Sequence, residues 1–165
     1  MDGEPITTGI EGALFQPLKV IPTPGGPVLH MLRAGSPLLP DFAHGFGEIY
    51  FSEVFPGAVK AWKRHTRQTQ LFAVPWGLLH IVLYDDRQAS PTRGVLVERR
   101  LGRPDDYGLL RIPPLVWYGF TAVGEAPALI CNCADLPHDP AEGERTAPDD
   151  SAIPYAWPSL GASRS

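Results

Sequence analysis

Cysteine is scarce: only Cys131 and Cys133 occur among 165 residues. They stand two apart in one apolar run, a spacing that an extended strand does not readily close into a disulfide, so a mutual disulfide is disfavoured and a reducing, cytoplasmic setting is expected. Long apolar runs are missing too. No stretch approaches the roughly 20 residues that cross a bilayer, and the start, with Asp2, Glu4 and Pro5, lacks the basic opening of a signal peptide, so no membrane partner is expected. Basic charge is not in excess: 14 Lys and Arg face 18 Asp and Glu, for a net charge of −4. That leaves no field for nucleic acid or an anionic membrane. Amphipathic helical period is nearly absent, which argues against a helical bundle.

What the chain does have is punctuation. It carries 17 Gly and 19 Pro with 44% hydrophobic residues, too apolar for a disordered chain and rich enough to fold without a disulfide or metal. Short strands are expected over Val28 to Arg33, Gly47 to Phe55, Val59 to His65, Val95 to Leu101, Leu109 to Ile112, Gly119 to Val123 and Ala126 to Cys133. Leu71 to Tyr84 is the strongest signal and is interrupted by Pro75-Trp76-Gly77, which predicts two strands and a tight turn. Eight or nine short strands at this spacing indicate an all-β sandwich or barrel. Residues 1–165 are read as one domain, with a barrel core over about 24–136, a Pro-rich loop over 36–45, and a polar tail over about 137–165 that wraps the barrel or belongs to a neighbour.

In Val59-Lys60-Ala61-Trp62-Lys63-Arg64-His65, a period of two puts Lys63 and His65 on one face and Lys60, Trp62 and Arg64 on the other. The pattern is that of an edge strand carrying solvated cations, or of an amine and an imidazole presented side by side to a site. Arg64 and Arg67 are candidate phosphate partners, since guanidinium forks match phosphate oxygens. Asp85 and Arg87 sit at a strand end, where a solvated turn and a ligand contact weigh about evenly. His30, His44, His80 and His138 read as ordinary strand or loop residues. Trp117, beside Tyr118, is the tryptophan best placed to stack on a base or sugar.

From His65 onward the spacing resembles the cupin double motif. Lys63, His65, Gln70 and Gly77 stand at the places of its first block, and Pro113-x-Leu115-x-x-Tyr118 at its second. Of the four metal ligands of that motif only His65 remains, and Lys, Gln and Tyr are poor ligands for divalent transition metals, so neither metal nor other cofactor is expected. Lys60 to His65, Tyr84-Asp85-Asp86-Arg87 with Ser90-Pro91-Thr92-x-Gly94, Ile112-Pro113-Pro114 with Gly119-Phe120, and Ile153-Pro154-Tyr155-Ala156-Trp157 together resemble the dTDP-4-dehydrorhamnose 3,5-epimerases and their sugar 3,4-ketoisomerase relatives.

That resemblance implies a double-stranded β-helix (jelly-roll) barrel, a homodimer, and a nucleotide-linked 4-keto-6-deoxyhexose as the small-molecule partner. It implies proton transfer beside a ketone, with Lys63 at the place of the base, Cys131 at that of the acid, and Tyr118 where the relatives keep a His. Lys63, His65 and Tyr118 are the expected catalytic residues. Lys60, Arg67, Gln70, Asp85, Arg87 and Trp117 are the expected substrate contacts. The relatives' base is oriented by an Asp from the tail, and no acid follows Trp157 here. Because these proton-transfer positions differ, the alternative is a non-catalytic cupin that binds a sugar, another small ligand or a protein.

Overall fold

The computed structural model describes residues 2–39 and 46–158. Thirteen strands run through them: β1 Ile6–Thr7, β2 Leu14–Pro17, β3 Val20–Ile21, β4 Val28–Leu29, β5 Glu48–Val54, β6 Val59–His65, β7 Gln70–Trp76, β8 Leu78–Asp85, β9 Leu96–Gly102, β10 Gly108–Ile112, β11 Val116–Ala122, β12 Ala128–Ala134 and β13 Gly143–Arg145. One sheet has the order β1-β2-β10-β7-β12-β5, a second the order β13-β6-β11-β8-β9, and β3 and β4 pair by themselves. The two large sheets face each other as an all-β jelly roll.

Alternation sets the core. In β8, Leu79, Ile81 and Leu83 point between the sheets to meet Phe72, Val74, Leu110 and Ile130 of the other layer. Val82, facing the opposite way, packs in an outer layer with Trp62, Trp117, Ile153 and Trp157. The segment around Ile153 and Trp157 therefore covers the back of the second sheet. The back of the first is covered by Leu18, Leu38 and their neighbours.

The turn expected at Pro75-Trp76-Gly77 lies between β7 and β8. Gly77 there has φ +75°, and a Cβ would stand 2.4 Å from the Pro127 carbonyl oxygen, so a side chain fits neither the conformation nor the space. β5 to β12 lie within a few residues of their expected positions, β11 beginning three residues early. Two readings need correction. The strand expected over Val28 to Arg33 is reduced to Val28–Leu29. Residues before the expected barrel start near 24 are part of the sheet, because Leu14 to Pro17 pair with Arg111 to Gly108. The tail folds back on its own chain, β13 pairing with β6. Part of the 36–45 loop, His44, and residues 159–165 lie outside the described residues. No helix among the described residues is long and apolar enough to cross a membrane.

Candidate active site

A cavity of about 450 Å³ opens between the sheets. Tyr50 and Ser52 of β5, Phe72 of β7 and Ile130 and Asn132 of β12 wall it on one side. Lys60 and Lys63 of β6, Tyr118 and Phe120 of β11 and Arg145 of β13 wall it on the other.

β6 delivers both lysines because it is irregular. Tyr118 pairs with Lys63 and Phe120 with Lys60, so three steps along β6 match two along β11. The extra residue makes a bulge and resets the alternation. Lys60 thus shares the cavity with Lys63, which corrects the opposite-face assignment; its Nζ donates to the Glu53 carbonyl at 2.6 Å and to Ser52 Oγ at 3.2 Å. Gly119 lets the strands approach here. A Cβ on it would lie 2.6 Å from Ala61 Cβ and 2.8 Å from the Trp157 ring.

His65 ends β6 and is buried. Its Nδ1 lies 2.6 Å from Glu142 Oε2 and its Nε2 3.1 Å from the Tyr118 hydroxyl. The other Glu142 oxygen accepts the backbone N–H groups of Arg67 and Gln68, each at 2.8 Å. Burial alone would raise this carboxyl, but those two N–H donors and the imidazole outweigh it and hold the pKa at about 2. An ionised carboxylate only accepts, so Nδ1 carries the imidazole hydrogen and Nε2 offers its lone pair. Tyr118 O–H then donates to Nε2. Burial lowers the His65 pKa below its ordinary 6.5, with Glu142 opposing and Lys63 and Arg145 adding to the drop. The Tyr118 phenol is pushed up, first by burial. At neutral pH the arrangement is therefore carboxylate, neutral imidazole, phenol, then cavity.

Lys63 is half-buried, and its pKa is lowered by burial first and by the Arg145 charge second. Arg145 pairs across from Lys63 in the β13–β6 register and makes no ion pair among the described residues. The inner end of the cavity thus combines a base, a phenol and two close cations, the set needed to remove a carbon-bound proton and hold the resulting enolate.

Lys63, His65 and Tyr118 come together as expected. Gln70 stands behind the wall: its Nε2 donates to Gln68 Oε1 at 2.9 Å and its carbonyl accepts from Asn132. The Arg67 guanidinium points outward to Asp139 at 3.1 Å, and only its backbone serves the site. Asp85 and Arg87 do not wall the cavity. Asp85 is fully buried and accepts from Arg87 Nε at 2.8 Å, Ser90 Oγ at 2.6 Å and Thr92 Oγ1 at 2.7 Å, while Arg87 also reaches the Glu11 carbonyl at 2.7 Å. This is an anchor for the 85–95 loop. Trp117 faces the outer layer, its Nε1 donating to Asp86 at 3.0 Å and its ring under the Arg64 guanidinium, so neither Trp117 nor Arg64 offers itself to a ligand in the cavity.

Cys131 does not take the acid's place. Ile130 and Asn132 face the cavity, so by alternation Cys131 and Cys133 face away. The orienting acid is also present, as Glu142 rather than a residue beyond Trp157. Glu142, Arg145, Tyr50, Ser52 and Asn132 were not found by sequence reasoning. Asn132 had a signal, a lone amide in an otherwise apolar strand; Glu142 and Arg145 lie in an aperiodic acidic tail and had none. Among the described residues no group of three His, Cys, Asp or Glu could hold a metal ion. His30 and His80 are tied elsewhere, to Asp2 and to Glu98 with Tyr155, and His138 does not wall the cavity.

The two facing sheets, with a buried carboxylate–imidazole–phenol chain between them, define a cupin-type jelly roll. Comparison with known proteins makes this specific. The crystal structure of a dTDP sugar isomerase from Desulfovibrio desulfuricans superposes with a TM-score of 0.88 at 58% identity, covering 92% of this chain and 94% of that one. The probable low-salt glycan biosynthesis epimerase Agl13 of Haloferax volcanii is 39% identical over 107 residues, a match covering 64% of this chain and 65% of that relative. A dTDP-6-deoxy-D-glucose-3,5-epimerase from Legionella pneumophila, solved with dTDP-4-keto-L-rhamnose, shares the fold with a TM-score of 0.81 at 21% identity, covering 96% of this chain and 84% of that one. No family model matches the chain. The chain belongs to the dTDP-4-dehydrorhamnose 3,5-epimerase-like family of cupins.

Proposed function

We propose that this protein is a metal-independent epimerase or isomerase of a dTDP-linked 4-keto-6-deoxyhexose. The observation that carries the reading is the buried Glu142–His65–Tyr118 chain, which ends on a cavity also walled by Lys63 and Arg145. His65, rather than Lys63, is the base: its lone pair is oriented by Glu142, and an imidazolium formed there is stabilised by the same carboxylate. The proton leaves a carbon beside the ketone, passes to Tyr118 oxygen as Tyr118 gives its own proton to Nε2, and the electron pair moves onto the carbonyl oxygen. Lys63 and Arg145 face that oxygen as cations. The set at the cupin ligand places, Lys63, Gln70 and Tyr118 beside one His, supports chemistry without a transition metal.

The non-catalytic alternative has less support, since a ligand-holding site has no need of an ionised carboxylate buried behind an imidazole. Proton NMR in D₂O with a dTDP-linked 4-keto-6-deoxyhexose tests the reading. Deuterium entering beside the ketone is expected, and its position tells 3-epimerisation from 5-epimerisation. Stabilisation by dTDP with no exchange into any such sugar would favour the binding reading.

We also infer a homodimer. β5 is the outer strand of its sheet; Ile49 and Phe51 on it and Phe46 and Phe55 beside its ends are exposed, Phe51 by 67%. An apolar edge of this kind invites a partner, and closed two-fold pairing is the commonest arrangement.

A further inference from the structure

Two phenols face the cavity, and their hydroxyl groups are set with opposite polarity. Tyr118, on β11 of one sheet, spends its hydrogen on His65 Nε2. Tyr50, on β5 of the facing sheet, pairs in register with Asn132 of β12. Asn132 Oδ1 accepts the Leu71 N–H at 3.2 Å, and its Nδ2 donates to Tyr50 Oη at 2.8 Å and to Gln70 Oε1. Gln70 in turn donates to Gln68, whose backbone N–H holds Glu142. This buried amide chain fixes which end of Asn132 faces Tyr50. The Tyr50 oxygen is an acceptor there, so its own hydrogen points elsewhere, and no group among the described residues takes it.

Epimerisation needs a proton removed from one face of a carbon and another delivered to the opposite face. The base stands on the five-stranded sheet; Tyr50 stands on the six-stranded sheet across the cavity. We propose that Tyr50 is the general acid that reprotonates the enolate from the face opposite His65 and Tyr118, so that the reaction inverts a carbon. The inference rests on the proposed epimerase reading. The C–H bond breaks toward the Tyr118–His65 side, leaving an enolate and an imidazolium. The Tyr50 O–H bond then breaks, its proton forms the new C–H bond, and the enolate pair restores the ketone. Tyrosinate 50 regains a proton from solvent and His65 returns one, so no oxidant or reductant is required. Burial, with the nearby Glu48 charge adding, raises the Tyr50 pKa, so the group is a phenol when the enolate forms.

Tyr50→Phe tests this, because the site is partly exposed and the ring is retained. Wild type and variant are incubated in D₂O with a dTDP-linked 4-keto-6-deoxyhexose, and exchange and configuration are followed by NMR. The expected result is that the variant still exchanges deuterium into substrate with retention, while inverted product falls by about 100-fold or more. Inverted product at the wild-type rate would overturn the assignment, as would loss of exchange and inversion in equal measure. Exchange by wild type without inversion at any carbon removes the role of Tyr50 but keeps the site's chemistry. Absence of both in wild type removes the epimerase reading itself, and Tyr50 with it.

Discussion

Glu142 grips His65 across 77 positions of sequence, its Oε2 2.6 Å from Nδ1, while its second oxygen is held by two backbone N–H groups of the very loop that follows the histidine. The carboxylate and the imidazole are thereby fixed relative to one short stretch of backbone. Orientation of the imidazole is the property this contact controls.

Glu142→Gln should therefore lower kcat by about 10²–10⁴-fold with KM changed little, since an amide can present its NH₂ to Nδ1 and place the hydrogen on the wrong nitrogen. Steady-state kinetics at neutral pH separate this outcome from a loss of substrate binding, which would raise KM.

Lys63→Met should reduce kcat by about 10²–10³-fold as a cation facing the enolate oxygen is lost, with Lys63→Arg recovering part of it. Deuterium exchange distinguishes the roles: the slowed exchange of Lys63→Met should keep the wild-type acid limb, whereas abolished exchange would return the base to Lys63.

The pH profile follows from His65. Its pKa is lowered, first by burial, so the lone pair is present at neutral pH and is lost only as pH falls below 6.5. An acid limb in kcat/KM below that value is expected. Glu142 adds a stability effect: its pKa is depressed to about 2 in the folded protein, so its contribution is whole above the ordinary carboxyl value and drains away as pH falls toward about 2. Thermal melts from pH 6 to 2 should show the loss, and Glu142→Gln should flatten it.

Asp85→Ala should cost about 3–5 kcal/mol, because Arg87 is left half-buried without its carboxylate. In a chain of this length that corresponds to a Tm lower by about 6–20 °C. A raised KM with an unchanged Tm would instead make Asp85 a substrate contact.

Sedimentation at micromolar concentration should give twice the chain mass, and Phe51→Glu on the exposed β5 face should shift the protein to monomer. A monomeric wild type would remove the dimer.

Much of the fold was legible because alternation is local. Leu79, Ile81 and Leu83 announce a strand with one buried face, and Gly77 announces the turn before it, from neighbouring residues alone. The site was half legible for the same reason. Lys63 and His65 share a face of β6 by period, but Lys60 joins them only through the bulge, and that is fixed by pairing with Tyr118 and Phe120 some 60 residues later. Trp117 was misassigned because composition cannot say which side of a sheet becomes the outer layer. Glu142 was invisible because its position depends on the path of an aperiodic tail, settled only by the pairing of Gly143 with His65.

That path leaves the charge of the site to the last part of the chain. His65 and Tyr118 lie within the strands up to β12, and Glu142 and Arg145 follow it. The vessel is shaped by one stretch of chain and charged by the next, so a backbone cut near residue 136 would separate the histidine and the tyrosine from the carboxylate that sets the proton between them.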